Sequence, residues 1–146
     1  MKITTFFKYV TVLSIAFSCS NSCLSATFDK KHSFEDFARA VAKVESGGNP
    51  KAIGDNGKAR GILQIHEICF NDAKSFDKEL NRFKYNDVFN PQVSKRVLWA
   101  YCAKYEKEAL KNGNYEILAR LWNSGPGWAK KKNKTNDYWM KVKSNL

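Results

Sequence analysis

The feature that most constrains this chain is a glutamate on the apolar face of a predicted helix. Phe34, Phe37, Ala38 and Val41 recur at the spacing of one helix face, and Glu45 continues the same row. A carboxylate is costly on a face that packs against a core, and the carboxyl end of a helix carries a negative dipole. Both effects favour the protonated acid, so we expect the pKa of Glu45 to be raised. An acid that keeps its proton near neutral pH is suited to general-acid chemistry.

Cap and turn residues divide the rest of the chain into further helices. Ser33 and Asp36 form a capping box for the first helix, which Gly47-Gly48 ends. The polar stretch 51–60 predicts a small β-hairpin or an irregular loop. Further helices are predicted over about 67–76, from Pro91 to about 112, from 115 to 122 and over 136–142. The predicted fold is mainly α: a single helical domain with a small loop or β insert after the first helix.

The first 26 residues have the order of a secretion signal. Lys2 and Lys8 precede a short apolar run over 10–17, and Leu24-Ser25-Ala26 offers a cleavage site. This run is too short to span a bilayer, and no later segment of the sequence has the length and apolarity of a membrane span. We expect residues 1–26 to be removed and residues 27–146 to form a secreted or periplasmic domain. A buried N-terminal helix is the alternative.

The chain is strongly basic. Its formal net charge is +11, and removal of residues 1–26, which contain two lysines and no acid, leaves +9. Such an excess suits an anionic partner. Export argues against nucleic acid and favours a bacterial cell wall or membrane surface. The lysine-rich run 130–134 contributes much of the charge and is expected to form a solvated, mobile loop.

The histidine and cysteine residues do not form a metal-binding pattern. His66 invites a metal or base interpretation, but His32 is the only other histidine in the sequence and no Cys-His cluster accompanies them. We expect neither a metal nor another cofactor. Two cysteines lie beyond the predicted signal, Cys69 and Cys102. They are compatible with one disulfide or with two buried thiols.

Four motifs occur in an order that resembles a known family. They are Glu45-Ser46, Gly61-Ile62-Leu63-Gln64-Ile65, Trp122-Asn123-Ser124-Gly125 and Tyr138. With them, residues 33–142 resemble the lysozyme-like superfamily, most closely its soluble lytic transglycosylase (SLT) group. That group has a Glu-Ser pair, a Gly-x-x-Gln-Ile segment, a Tyr-Asn-Ala-Gly segment and a late Tyr. Trp122 stands where the group usually has Tyr, which keeps an aromatic wall and loses a hydroxyl.

The resemblance implies cleavage of the β-1,4 bond between N-acetylmuramic acid and N-acetylglucosamine in peptidoglycan. Glu45 would protonate the leaving oxygen and then act as base on the 6-hydroxyl of the sugar, which gives a 1,6-anhydro product. The same resemblance assigns five residues to the substrate cleft: Ser46, Gln64, Trp122, Asn123 and Tyr138. Tyr138 corresponds to the tyrosine that hydrogen-bonds the acid. The expected partner is the peptidoglycan glycan strand, bound by a monomer.

Two other functions remain open from the sequence. A lysozyme-type hydrolase would need a second carboxylate, for which Asp55 is the candidate because it follows Glu45 in the polar loop. Asp55 in Gly54-Asp55-Asn56-Gly57 is also an ordinary turn residue. The second alternative is a non-catalytic wall-binding or secretion-apparatus component, because a fold does not establish activity. An inward-facing Glu45 argues against that alternative.

Overall fold

The computed structural model describes residues 32–146, which form six α-helices and one small sheet. The helices are α1 (Phe34–Ser46), α2 (Glu67–Phe76), α3 (Pro91–Tyr105), α4 (Lys107–Asn112), α5 (Tyr115–Ser124) and α6 (Asn136–Lys143). The predicted signal, residues 1–26, and the lead-in over 27–31 lie outside the described residues. The prediction of a mainly α fold with a small insert after the first helix is confirmed.

Helix α1 begins and ends at the predicted residues. The Asp36 amide donates to Ser33 Oγ at 3.2 Å, and the Ser33 amide donates to Asp36 Oδ2 at 2.9 Å. Gly47 ends the helix in the left-handed conformation at φ 64°, where a Cβ would be strained. Phe37 and Val41 are fully buried. The same periodicity that buries them carries Glu45 to the inner side of the last turn.

The insert after α1 is a three-stranded antiparallel sheet. Its strands are β1 (Ile53–Gly54), β2 (Ala59–Arg60) and β3 (Ile65–His66), in that order. Ala59 pairs with Gly54 on one side and with His66 on the other. Of the two alternatives for this region, a β structure is therefore present. Gln64, just before β3, has a φ of 49°, which is uncommon for a residue other than Gly, Asn or Asp.

The long helix predicted from Pro91 to about residue 112 is two helices. Asn90 caps α3 as predicted, since its Oδ1 accepts from the Gln92 amide at 2.9 Å. The helix is interrupted at Glu106, which has φ −139° and ψ 53°, before α4 begins. Glu106 accepts a 2.7 Å hydrogen bond from the Trp128 indole. Glu is a good helix former, so the local sequence gives no indication of this break.

The lysine-rich run is exposed to solvent, as predicted, but it has regular structure where the sequence predicted a loop. Residues Trp128–Thr135 form 3₁₀ turns, and their lysine side chains are exposed. Arg120 is only 3 % exposed, and its guanidinium hydrogen-bonds to this segment from the protein interior. Its Nη1 donates to the Lys132 carbonyl at 2.8 Å and to Thr135 Oγ1 at 2.9 Å. A buried guanidinium with several acceptors fixes the backbone beneath the charged surface.

The hydrophobic core joins helices α1, α2, α3 and α5. Its largest fully buried side chains include Phe37, Phe70, Leu63, Leu98, Leu118 and Leu121. Among the described residues, Cys69 and Cys102 are separate free thiols and do not form the disulfide that was one of the two alternatives; Cys102 is buried and Cys69 is half-buried. Burial raises the pKa of Cys69 to about 12, and burial also raises the pKa of Cys102. Within residues 32–146, no helix has the length and apolarity needed to cross a membrane.

Candidate active site

Glu45, the predicted acid, lines a cavity of about 260 Å³. Five elements and segments contribute to its lining: Glu45 of α1, Gln64, Ile65 and His66 at β3, Cys69 of α2, Tyr101 of α3, and Trp122 and Asn123 of α5. The structure thus brings together Glu45, Gln64, Trp122 and Asn123, which come from three separate sequence motifs. Glu45 is the one acid among the lining residues in the described part of the chain.

Glu45 has the environment of a proton donor. Burial raises its pKa, in the direction expected from the sequence, and the Tyr138 and Trp122 side chains partly offset this rise. Tyr138 Oη donates to Glu45 Oε1 at 2.6 Å. A hydrogen bond to the charged form lowers a carboxyl pKa, whereas desolvation raises it. Desolvation is the larger effect, so the pKa of Glu45 is raised overall and the protonated acid is favoured.

Tyr138 reaches the acid from the last helix of the chain. It lies on α6, which packs against α1. Burial and the neighbouring Glu45 carboxylate raise the pKa of Tyr138 well above its ordinary value. The hydroxyl therefore keeps its proton and acts as the donor to Glu45. The position of the late tyrosine beside the acid is the one that the family resemblance implied.

Gln64 is held firmly at the cavity wall. Its Nε2 donates to the Gly61 carbonyl at 2.9 Å, and its Oε1 lies against Gly54, where any Cβ would overlap it. The left-handed backbone of Gln64 adds a local strain that persists only because the surroundings hold it. A fixed side-chain amide at a cavity wall suits the hydroxyl and amide groups of an amino sugar.

An aromatic wall closes the other side of the cavity. The Trp122 ring meets Tyr101 edge-on, with centroids 5.8 Å apart and planes at 89°. Tyr101 in turn packs against Tyr105 at 5.0 Å. Trp122 thus supplies an aromatic wall at the position where the family usually has Tyr. Asn123, the next residue, is exposed at the cavity edge.

Tyr101, His66 and Cys69 were not predicted as cleft residues. Tyr101 lies in the periodic face of α3 and is 8 % exposed, so its sequence pattern is that of a core residue. His66 directly follows the Gln64-Ile65 motif, so its sequence position could have indicated a place in the cleft. Only the folded structure shows that these three side chains line the same cavity as Glu45.

Three predicted site residues are not among the residues that line the cavity: Tyr138, which bonds to Glu45, and also Ser46 and Asp55. The Ser46 hydroxyl donates to the Ile62 carbonyl at 2.8 Å, so it ties the end of α1 to the segment that carries Gln64. The Oδ2 atom of Asp55 lies 3.3 Å from the Nε2 atom of His66. Asp55 therefore approaches the cavity through His66 rather than directly. Within residues 32–146, no group of His, Cys, Asp and Glu side chains is arranged to hold a metal ion.

A larger cavity of about 650 Å³ lies between α1 and α3. Phe34, Phe83 and Trp99 contribute its aromatic lining. Its carboxylate, Glu35, is exposed and paired with Lys95 at 2.7 Å. An exposed, ion-paired acid lacks the desolvation that favours a proton donor. The smaller cavity at Glu45 is therefore the candidate active site.

The comparison with protein families agrees with the motifs and the geometry. The family model described as "Transglycosylase SLT domain" matches residues 22–144, most of the chain. No curated protein and no solved structure matches the chain significantly. Peptidoglycan lytic transglycosylases of this family are glycosidase-type enzymes with a lysozyme-like fold. On this match the chain belongs to the transglycosylase SLT domain family.

Proposed function

We propose that the protein cleaves the β-1,4 bond between N-acetylmuramic acid and N-acetylglucosamine by lytic transglycosylation, with Glu45 as acid and then as base. The observation that carries this proposal is the half-buried Glu45 carboxyl, with its raised pKa and its 2.6 Å hydrogen bond from Tyr138, beside a cavity lined by polar motif residues. Such an environment favours the protonated form of the acid, which is the form that a proton donor needs.

In the first step Glu45 donates its proton to the bridging oxygen as the glycosidic bond breaks. The sugar then has oxocarbenium character, and the Glu45 carboxylate is stabilised by the Tyr138 hydroxyl. In the second step Glu45 accepts the proton of the sugar's own 6-hydroxyl, whose oxygen bonds to the anomeric carbon. The products are a 1,6-anhydro end and a free hydroxyl, and Glu45 has regained its proton.

The composition of the cavity supports this use of a single carboxylate. Glu45 is the one acid that lines it in the described residues, and Asp55 lies behind His66. Gln64 and Asn123 would bind the hydroxyl and N-acetyl groups of the sugars, and Trp122 would form the wall behind them. Ser46 would act by holding the Gln64 segment. The half-buried acid and its tyrosine partner argue against a non-catalytic wall-binding component.

The proposal includes export. Residues 1–26 would be a cleaved signal peptide, and the remaining basic domain would act as a monomer in the periplasm or outside the cell. Amino-terminal sequencing of the protein recovered from periplasm or medium would test this. A mature amino terminus at Thr27 is expected, whereas recovery of an intact residue 1–26 segment would contradict the proposal.

The central experiment is mass spectrometry of muropeptides released from purified sacculi. Products ending predominantly in 1,6-anhydro sugars are expected from the wild type, and no release above background from Glu45→Gln. Predominantly reducing ends would overturn the transglycosylase mechanism. Release by Glu45→Gln at the wild-type rate would overturn the assignment of the acid.

A further inference from the structure

A histidine and an aspartate form a second ionisable pair at the active site. His66 lines the same cavity as Glu45, Gln64 and Asn123. Its Nε2 is 3.3 Å from the Asp55 carboxylate, which does not itself line the cavity. The pair therefore has one member facing the substrate space and one member behind it. The single-carboxylate mechanism above uses neither.

The sheet places the two residues side by side. His66 ends β3 and occupies the N-cap position of α2. Asp55 opens the turn between β1 and β2, with a φ of 48°. The pairing of Ala59 with both Gly54 and His66 fixes this turn over the end of β3. The strand register therefore determines the contact between Asp55 and His66, because it fixes the backbone positions of both residues.

A stabilising role does not account well for this pair. The Asp55 and His66 side chains are 58 % and 41 % exposed. Ion pairs at such exposure contribute little to folding stability. The same exposure gives water access to the imidazole from the open side of the cavity. A carboxylate next to one ring nitrogen holds the proton there, which leaves the other nitrogen as an acceptor.

We propose that His66, positioned by Asp55, is a second proton acceptor that gives the enzyme a hydrolytic branch beside the anhydro-forming one. The proposal rests on the proposed function, because Glu45 still breaks the glycosidic bond. Glu45 donates its proton to the bridging oxygen, which keeps the electron pair of the broken bond. The oxygen of a water molecule then bonds to the anomeric carbon, and its proton passes to the unprotonated ring nitrogen of His66.

The balance of this branch is that of a simple hydrolysis. One water is consumed, and the two products carry a reducing end and a free hydroxyl. His66 releases its proton to solvent and Glu45 regains one, so the enzyme returns to its starting state without an oxidant or reductant. The 6-hydroxyl has the advantage of an intramolecular nucleophile. Anhydro ends therefore remain the main product and reducing ends the minor one.

The test is the ratio of reducing to anhydro ends released from sacculi, measured by mass spectrometry in ¹⁸O-labelled water. Wild type is expected to release a minor fraction of reducing ends that carry the label. His66→Gln should lower that fraction at least about tenfold, because general-base catalysis contributes about 10²–10⁴. Asp55→Asn should lower it by less, since Asp55 acts only through His66. Anhydro release should fall by a smaller factor than labelled reducing ends in both variants, so the ratio of the two products is the readout.

Glu79→Gln is the matched control. Glu79 forms an exposed ion pair with Arg82, with 3.7 Å between the charged atoms, and neither residue lines the cavity. This substitution should leave the product ratio unchanged. Absence of labelled reducing ends from wild type overturns the hydrolytic branch. So does an unchanged ratio in His66→Gln, or an equal loss of both products at wild-type melting temperature. If His66→Gln fails to fold, Asp55→Asn takes its place in the test. An unchanged ratio of reducing to anhydro ends in folded Asp55→Asn then overturns the hydrolytic branch. Cleavage by Glu45→Gln would instead overturn the proposed function.

Discussion

Tyr138 donates a 2.6 Å hydrogen bond to Glu45 although 93 positions separate the two residues in the chain. This bond joins the last helix to the first and places the late motif residue on the acid. Burial raises the Glu45 pKa and the Tyr138 hydroxyl lowers it, with burial the larger effect. The proposed role, acid in one step and base in the next, would use a carboxyl that favours its proton and whose charged form still has a hydrogen-bond donor.

We expect Glu45→Gln to abolish cleavage of sacculi and to preserve the fold. The amide has the shape of the carboxyl but cannot deliver a proton, so the rate should fall by at least about 10². Glu35→Gln is the control, because Glu35 lies on the same helix and pairs with Lys95 outside the cavity that Glu45 lines. Turnover and melting temperature should be measured for both variants. Equal losses of turnover in the two would show that the effect is not specific to Glu45.

The pH dependence of stability should report the same carboxyl. Burial raises the folded-state pKa of Glu45 above its ordinary value of 4.5. Below that value both the folded and the unfolded states are protonated, and the raised pKa costs nothing. As pH rises towards the folded-state pKa, the unfolded state loses its proton first, so the free energy of unfolding decreases.

Glu45→Gln does not have this loss. Its melting temperature relative to wild type should therefore increase as pH rises above 4.5 and level off beyond the folded-state pKa. Thermal unfolding of both proteins across this range is the measurement. A difference in melting temperature that stays constant, or decreases with pH, would contradict a raised Glu45 pKa.

The sequence predicts the acid well because its placement is local. The face that contains Phe37 and Val41, the capping box at Ser33 and the stop at Gly47 together determine where Glu45 lies on α1. Helix α2 and the start of α5 follow from equally local patterns. The order of the motifs then predicts which distant segments meet.

Tertiary contacts explain what the sequence did not predict. Tyr101 has the pattern of a core residue and reaches the cavity only because α3 passes beneath it. The break at Glu106 occurs in a good helix former that bonds to Trp128. The Asp55–His66 contact depends on the register of three short strands. None of these is encoded in a window of neighbouring residues.

Gly54→Ala should reduce cleavage with little loss of stability. The Gly54 backbone has φ −127°, which alanine adopts without strain. Its Cβ would overlap Gln64 Oε1, so the Gln64 amide must move away from the cavity wall. Gly127→Ala is the control, because its φ is −85° and no heavy atom would contact the new Cβ. Wild-type turnover in Gly54→Ala would show that the position of Gln64 is unimportant.

Ser46→Ala should affect stability more than chemistry. Its hydroxyl donates to the Ile62 carbonyl at 2.8 Å, and loss of one such bond costs about 1 kcal/mol. Ser144→Ala is the control, since the Ser144 hydroxyl bonds only within its own helix end and is exposed. Denaturant unfolding and turnover should be compared. A drop in turnover of about 10² at unchanged stability would instead place Ser46 in contact with the substrate.

Binding to the anionic cell wall should weaken with salt. The chain without residues 1–26 has a net charge of +9, since that segment holds two of the 25 basic residues and none of the 14 acids. The lysines of Trp128–Thr135 are exposed on a backbone that Arg120 fixes. Between about 0.01 M and 1 M salt the screening length falls from about 30 Å to about 3 Å, so the electrostatic part of the attraction should be lost.

Sedimentation of inactive Glu45→Gln with sacculi at these two salt concentrations is the measurement, because no substrate is then consumed. Replacing Lys131 and Lys134 by Gln should lower the amount bound at low salt, whereas replacing both by Arg should preserve it. Both positions are exposed, and the hydrogen bonds of Arg120 go to neither of their side chains, so the fold should tolerate either change. Binding that is unaffected by salt and by both substitutions would assign wall affinity to the sugar cavity alone.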